Sequence, residues 1–77
     1  VYLLALVSYQ QKKLDEAKRL VDEVISRGEP NAESIWLALR IERKLGNRES
    51  EASYASQLRR NFKNSPEYKS LAQGQFE

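Results

Sequence analysis

Apolar side chains recur at spacings of three and four along most of this chain, a pattern that predicts helices and no strand. It is densest from residue 34 to residue 54. There Ile35, Trp36 and Leu39 mark one face, and Leu37, Ile41 and Leu45 mark an adjoining one. Two apolar faces are more than a helix wet on one side carries, so this helix is expected to lie between neighbours. Gly46 then stops it by accepting the left-handed conformation that a helix end often needs. Asn47 is placed to cap the next helix, which Ala52, Tyr54, Ala55 and Leu58 continue.

The flanking segments repeat the pattern. A first helix runs to about Gln11, with Leu3, Leu4, Leu6 and Val7 expected mostly inside. Lys12-Lys13 make a turn. A second helix covers about Leu14 to Arg27 and buries Leu14, Ala17, Leu20, Val21, Val24 and Ile25. Its opposite side carries Asp15, Arg19, Glu23 and Arg27, four alternating charges four residues apart, the mark of a solvent face. Gly28-Glu29-Pro30-Asn31 breaks it: Pro forbids continuation, and Asn31 can cap the third helix. The fourth helix is expected from about Arg48 to Phe62. Ser65-Pro66-Glu67 is the strongest helix start in the chain, with a capping Ser, Pro at the first position and Glu at the positive end. It opens a fifth helix, about Pro66 to Gln73, which Gly74 ends before a frayed tail. The fold class is therefore all-α, with short turns that imply tandem antiparallel helical hairpins.

Moving the chain by 35 residues lays Leu4 on Leu39, Leu6 on Ile41 and Ala17 on Ala52, with Glu16 and Glu51 preceding the alanines. Two helices per unit at a period of about 34 resemble tetratricopeptide repeats. Trp36, Leu39 and Ala52 match that repeat's Trp, Leu and small-residue positions, and residues 10–17 are similar to its inter-helix turn. Arg40, Arg43 and the displaced Pro66 depart from it. The resemblance implies a repeat over 1–30, a second over 31–64, and a capping helix and tail over 65–77. Trp36, Leu39, Gly46, Ala17 and Ala52 are its structural residues, and Ala52 is expected to be buried beside Leu58. The concave groove of such repeats would take Tyr2, Leu6 and Tyr9 from the first unit and Ser34, Leu37, Ile41 and Lys44 from the second. Only Lys44 among these is basic, so the carboxylate clamp of co-chaperone members is missing and the groove would be apolar and aromatic. Equally, Tyr2 and Leu6 can face a further repeat upstream.

A narrower resemblance lies in the stretch from Glu33 to Arg48, with Glu51-Ala52-Ser53-Tyr54-Ala55, Gln57-Leu58-Arg59, Phe62, Ser65-Pro66-Glu67-Tyr68 and Gly74-Gln75-Phe76-Glu77. It is similar to the C-terminal end of the type IV pilus biogenesis pilotin, a tetratricopeptide lipoprotein of Gram-negative bacteria; Lys63 departs from its pattern. That resemblance implies a periplasmic protein tethered to the outer membrane by a lipid outside this segment. Its role would be to help the secretin, the ring through which the pilus exits, localise and assemble. Other classes remain open: a generic peptide-binding tetratricopeptide scaffold or co-chaperone-like adaptor, and a binder of nucleic acid or anionic surfaces. The last lacks the aromatic-interleaved or groove-entering pattern of such binders, so no nucleic-acid partner is expected.

Composition bears on these choices. The 77 residues contain no Cys and no His, so the commonest catalytic bases, thiolate nucleophiles and metal ligands are missing, and neither an enzyme nor a metal or other cofactor is expected. The net charge is only +2, but residues 40 to 63 hold Arg40, Arg43, Lys44, Arg48, Arg59, Arg60 and Lys63 against Glu42, Glu49 and Glu51. Such a bias attracts anions or is simply a solvated face. Arg40, Glu42 and Arg43 can form a polar network between helices or a partner face. Residues 1 to 7 are all apolar, and the chain reads as the C-terminal piece of a longer protein. A helix cannot hide seven such residues against one neighbour, so self-association through the first helix is expected, with Tyr2, Leu3 and Leu6 as contacts, as an artefact of truncation.

Overall fold

A computed structural model describes residues 2–28 and 31–76, with the side chain of Tyr2 excepted. Five helices follow in order: α1 (Tyr2–Gln10), α2 (Leu14–Arg27), α3 (Ala32–Leu45), α4 (Arg48–Asn61) and α5 (Pro66–Ala72). The described residues contain no strand, and the protein is all-α. Val1, Glu29, Pro30 and Glu77 lie outside the described residues, so the expected helix-breaking role of Pro30 does too.

The helix ends follow their local chemistry. Asn31 caps α3 by accepting the Ser34 backbone N–H at 2.8 Å, and the Asn31 N–H donates to Ser34 Oγ at 3.2 Å. Gly46 ends α3 at φ +80° and donates back to the Arg43 carbonyl. Ser65 caps α5 by accepting the Tyr68 N–H, with Pro66 at the first helical position. Asn47 departs from expectation. It makes no cap to α4; its side-chain amide instead donates to Glu42 Oε1 at 2.8 Å. A buried carboxylate on α3 competes for that amide and wins, because an acceptor taken out of water needs its donors.

Packing runs α1 on α2, α2 on α3, and α3 on α4, with α5 closing over α3 and α4. The radius of gyration is 11.3 Å, close to the roughly 11.5 Å of a compact unit this long. Two apolar clusters fill it. One holds Ala5, Tyr9, Ala17, Val21, Leu37, Ala38 and Ile41; the other holds Ile35, Trp36, Leu39 and Leu58, with Phe62, Tyr68, Leu71 and Phe76 against them. The third helix is interior on nearly every side, as its two apolar faces predict: Ser34 through Leu39 are all buried.

Three expectations are corrected. First, α1 turns Ala5, Ser8 and Tyr9 inward, with Leu6 half-buried, while Leu3, Leu4 and Val7 are 72, 61 and 46% exposed. A helix apolar all round does not encode its own orientation. The small Ala5 and Ser8 allow close approach to α2, where Ala17 is fully buried, and that settles it.

Second, Ala52 is exposed rather than buried. The first helices of the two pairs end 35 residues apart, at Gln10 and Leu45, but the second helices begin 34 apart, at Leu14 and Arg48. The turn of the second pair is one residue shorter. One residue is about 100° of helix rotation, so Glu51, not Ala52, holds the place equivalent to Ala17. The inward stripe of α4 is Glu51, Tyr54, Ala55 and Leu58, of which Leu58 is fully buried.

Third, the tail is not frayed through residue 76. Gly74 takes φ +72°, and Phe76 folds back onto Trp36 with ring centroids 5.7 Å apart and planes 23° from parallel.

Candidate functional site

The residues expected to line a groove are brought together as interior. Tyr9, Ser34, Leu37 and Ile41 are buried, and Leu6 packs against the same cluster. The physical reason is that α2 lies directly on this face of α3, so these side chains close the core between α1, α2 and α3. Only Tyr9 and Lys44 also reach the wall of an open space. Tyr2 is described in its backbone alone.

That open space is a concavity of about 1280 Å³ on the other flank of α3. Its lining includes Arg40, Arg43 and Lys44 from α3, Arg48, Glu51, Ala52 and Ala55 from α4, Tyr9 from α1, and Gly74, Gln75 and Phe76 from the tail. Arginines at α3 positions 40 and 43 lie three apart and thus on one face. Gly46 and the short turn bring Arg48 to the same rim.

The cations are seated on aromatic rings. The Arg40 guanidinium carbon lies 5.1 Å from the Tyr9 ring centroid and 5.4 Å from that of Trp36. The Arg43 guanidinium carbon lies 3.9 Å from the Phe76 centroid, and its terminal nitrogen pairs with Glu51 at 3.2 Å. Each ring contact of this kind contributes about 0.5–2 kcal/mol, more where water is excluded. Arg40 Nε is buried without a hydrogen-bond partner, since a ring face accepts a cation but not an in-plane N–H. The site is therefore a basic rim over an aromatic floor.

The polar cluster on the opposite flank is different. Glu42 is 3% exposed and accepts from Lys18 Nζ at 2.6 Å and from Asn47 at 2.8 Å, tying α2, α3 and the following turn together. The hydrogen bond to Glu42 raises the Lys18 pKa above its usual 10.5. Partial burial of the Asp22 carboxyl raises its pKa, with Lys18 opposing and Glu42 assisting. Tyr54 is also raised, first by desolvation and then by the neighbouring Asp22 charge. With both Glu42 oxygens engaged, this cluster is a strut between helices.

No family model matches the chain, nor does any curated protein or solved structure. Function thus rests on the residues themselves. Among those described, no group of three acidic, His or Cys side chains can hold a metal, and no helix is long and apolar enough to cross a membrane. Of Arg40, Glu42 and Arg43, weighed together in the sequence, Glu42 is the network and the two arginines are the rim. Phe76 as the seat of Arg43, Tyr9 as the seat of Arg40, and the Lys18–Glu42 pair are not encoded in local spacing. The aromatic residue just after a helix-ending Gly was the one available signal for the first.

Proposed function

We propose that this chain is a protein–protein interaction module of tetratricopeptide type, the C-terminal part of a pilotin that assists the outer-membrane localisation and assembly of a type IV pilus secretin. The observation that supports it most is the packing order. Each helix packs on the next through short turns, and the Trp36 helix lies between α2 on one side and α4 and α5 on the other. That is what an inner repeat followed by a capping helix requires. The stretch from Glu33 to Glu77 adds the narrower resemblance. On this reading the protein acts at the periplasmic face of the outer membrane, held there by a lipid on another segment, and works by holding a partner, with no chemical step and no cofactor.

Deleting the parent gene in its host tests the proposal: secretin multimers and surface pili should both fall. Normal amounts of both would reject the pilotin assignment. A generic peptide-binding scaffold is the second reading, favoured by the basic concavity. A full-length sequence with a leader ending in a lipid-modified Cys would decide for the first, and its absence for the second.

A further inference from the structure

Several independent features converge on the basic concavity beside α3. Among the described residues its lining carries four cationic side chains, Arg40, Arg43, Lys44 and Arg48, and the carboxylate of Glu51. In a chain of net charge +2 this is a strong local concentration. Such a concave surface focuses its field on an incoming anion. The volume of about 1280 Å³ exceeds the roughly 300–1,000 Å³ of small-molecule sites, and the space is open, as an extended chain needs.

We propose that this concavity docks an acidic, extended peptide segment, whose carboxylates meet Arg43, Lys44 and Arg48 while its apolar side chains lie along Ala52 and Ala55. The proposal rests on the reading of the chain as a protein-binding module and names the chemistry of its partner. The Glu51–Arg43 pair, at 3.2 Å, shows a carboxylate already accepted by this rim. Glu51 engages one terminal nitrogen of an Arg43 guanidinium that carries five in-plane donors, and the Phe76 ring holds that plane in position.

Single-stranded nucleic acid is the competing anion, and the aromatic geometry disfavours it. Stacking of bases needs open ring faces. Tyr9 and Trp36 are each only 8% exposed, Trp36 is stacked against Phe76, and Phe76 carries Arg43. The rings serve the arginines, and none is left as a platform.

The test titrates the intact chain into a fluorescein-labelled peptide rich in Asp and Glu and containing one Phe, followed by anisotropy. A peptide with Lys replacing the acids and an oligothymidine of similar length serve as comparators. Saturable binding of the acidic peptide alone is expected, weakening as salt shortens the screening length below about 10 Å. The double variant Lys44→Glu with Arg48→Glu should weaken it at least about tenfold, since like-charge juxtaposition penalises the wrong partner. The fold is expected to survive: the changes act with opposite sign at the end of α3 and the start of α4. Glu51→Gln should move affinity the other way, tightening it about threefold by removing a carboxylate that competes for Arg43. A purely structural role would not yield opposite effects from the two variants. Acidic-peptide binding that fails to saturate, a folded double variant of unchanged affinity, or tighter binding of oligothymidine would overturn the proposal. Intact secretin assembly after gene deletion would instead remove the pilotin assignment while leaving the titration result standing.

Discussion

The two helical pairs use similar sequence patterns to different ends. In the first, small residues meet: Ala5 and Ala17 are fully buried, Ser8 nearly so, and α1 and α2 close upon each other. In the second, the turn is one residue shorter, and Glu51 stands where the small residue would. The pair is held by Leu58 in an apolar pocket and by the Arg43–Glu51 contact beside it. An open, charged concavity lies on that flank. The one-residue difference between the turns points a different face of α4 at α3, and puts Glu51 and Ala52 in the wall of the concavity. It acts through rotation of α4, without changing which residue types are present.

The comparison breaks first at Leu58. Leu58→Ala should cost about 2–5 kcal/mol of unfolding free energy, the range for a large buried side chain whose site collapses incompletely. A loss below about 1 kcal/mol in a urea titration would mean that the second cluster is not a packed core. Glu42→Ala should follow at about 1.5–3 kcal/mol, because it deletes the buried charged acceptor of the Lys18 and Asn47 hydrogen bonds. The Lys18 side chain is 37% exposed and can turn to water, which holds the effect to that range. Next comes a matched pair. Ala17→Leu should destabilise by about 1–3 kcal/mol through overpacking, while Ala52→Leu should stay within about 0.5 kcal/mol as a surface change. Equal effects at the two alanines would return them to one register.

Alkaline pH sharpens the same contrast. Lys18 and Tyr54 both have folded pKa values raised above their ordinary 10.5 and 10.0. A raised folded pKa means stability that is full below the unfolded value and lost as pH rises through the folded one. Denaturation midpoints should therefore fall above pH 10.0, and Tyr54→Phe should reduce the fall. Asp22, also raised, from 3.8, contributes stability that is lost as pH climbs through its folded value, partly offsetting acid destabilisation elsewhere. The smallest expected effect on stability is at Leu3→Glu with Leu4→Glu. Both side chains are largely exposed, so unfolding should be unchanged. Any self-association of the chain seen by light scattering should decrease; association unaffected by the double change would show that α1 is not its contact.

Much of the fold was legible because helix signals are local. Asn31, Gly46 and Ser65-Pro66 act within one turn of themselves, and the structure keeps each where the spacing puts it. The helix limits agree to within a residue or so for the same reason. What the spacing did not carry was rotation. Residues 1 to 7 are apolar on every side, so nothing in them says that Ala5 faces inward and Leu4 outward. Ala52 is exposed because the 35-residue offset of the first helices does not carry past a turn that is one residue shorter. The candidate site was half-visible. Its arginines stood out as departures from the repeat pattern, but their aromatic seats come from residues 9, 36 and 76, which only the folded chain brings together.

Trp36 is the only tryptophan in the chain, and it belongs wholly to the second cluster, beside Arg40 and Phe76. Its emission therefore reports the second pair and the docked tail, and is blind to α1 and α2 except through Arg40 and Tyr9. Far-UV dichroism, by contrast, sums over all five helices. Tyr54 packs against both clusters, and α3 supplies buried residues to both, so loosening of one half is felt by the other through this helix and this ring. Coincident fluorescence and dichroism curves would mark a single cooperative transition. An earlier dichroism step would make α1 and α2 a separate unfolding unit, and the lone indole a gauge of the remainder.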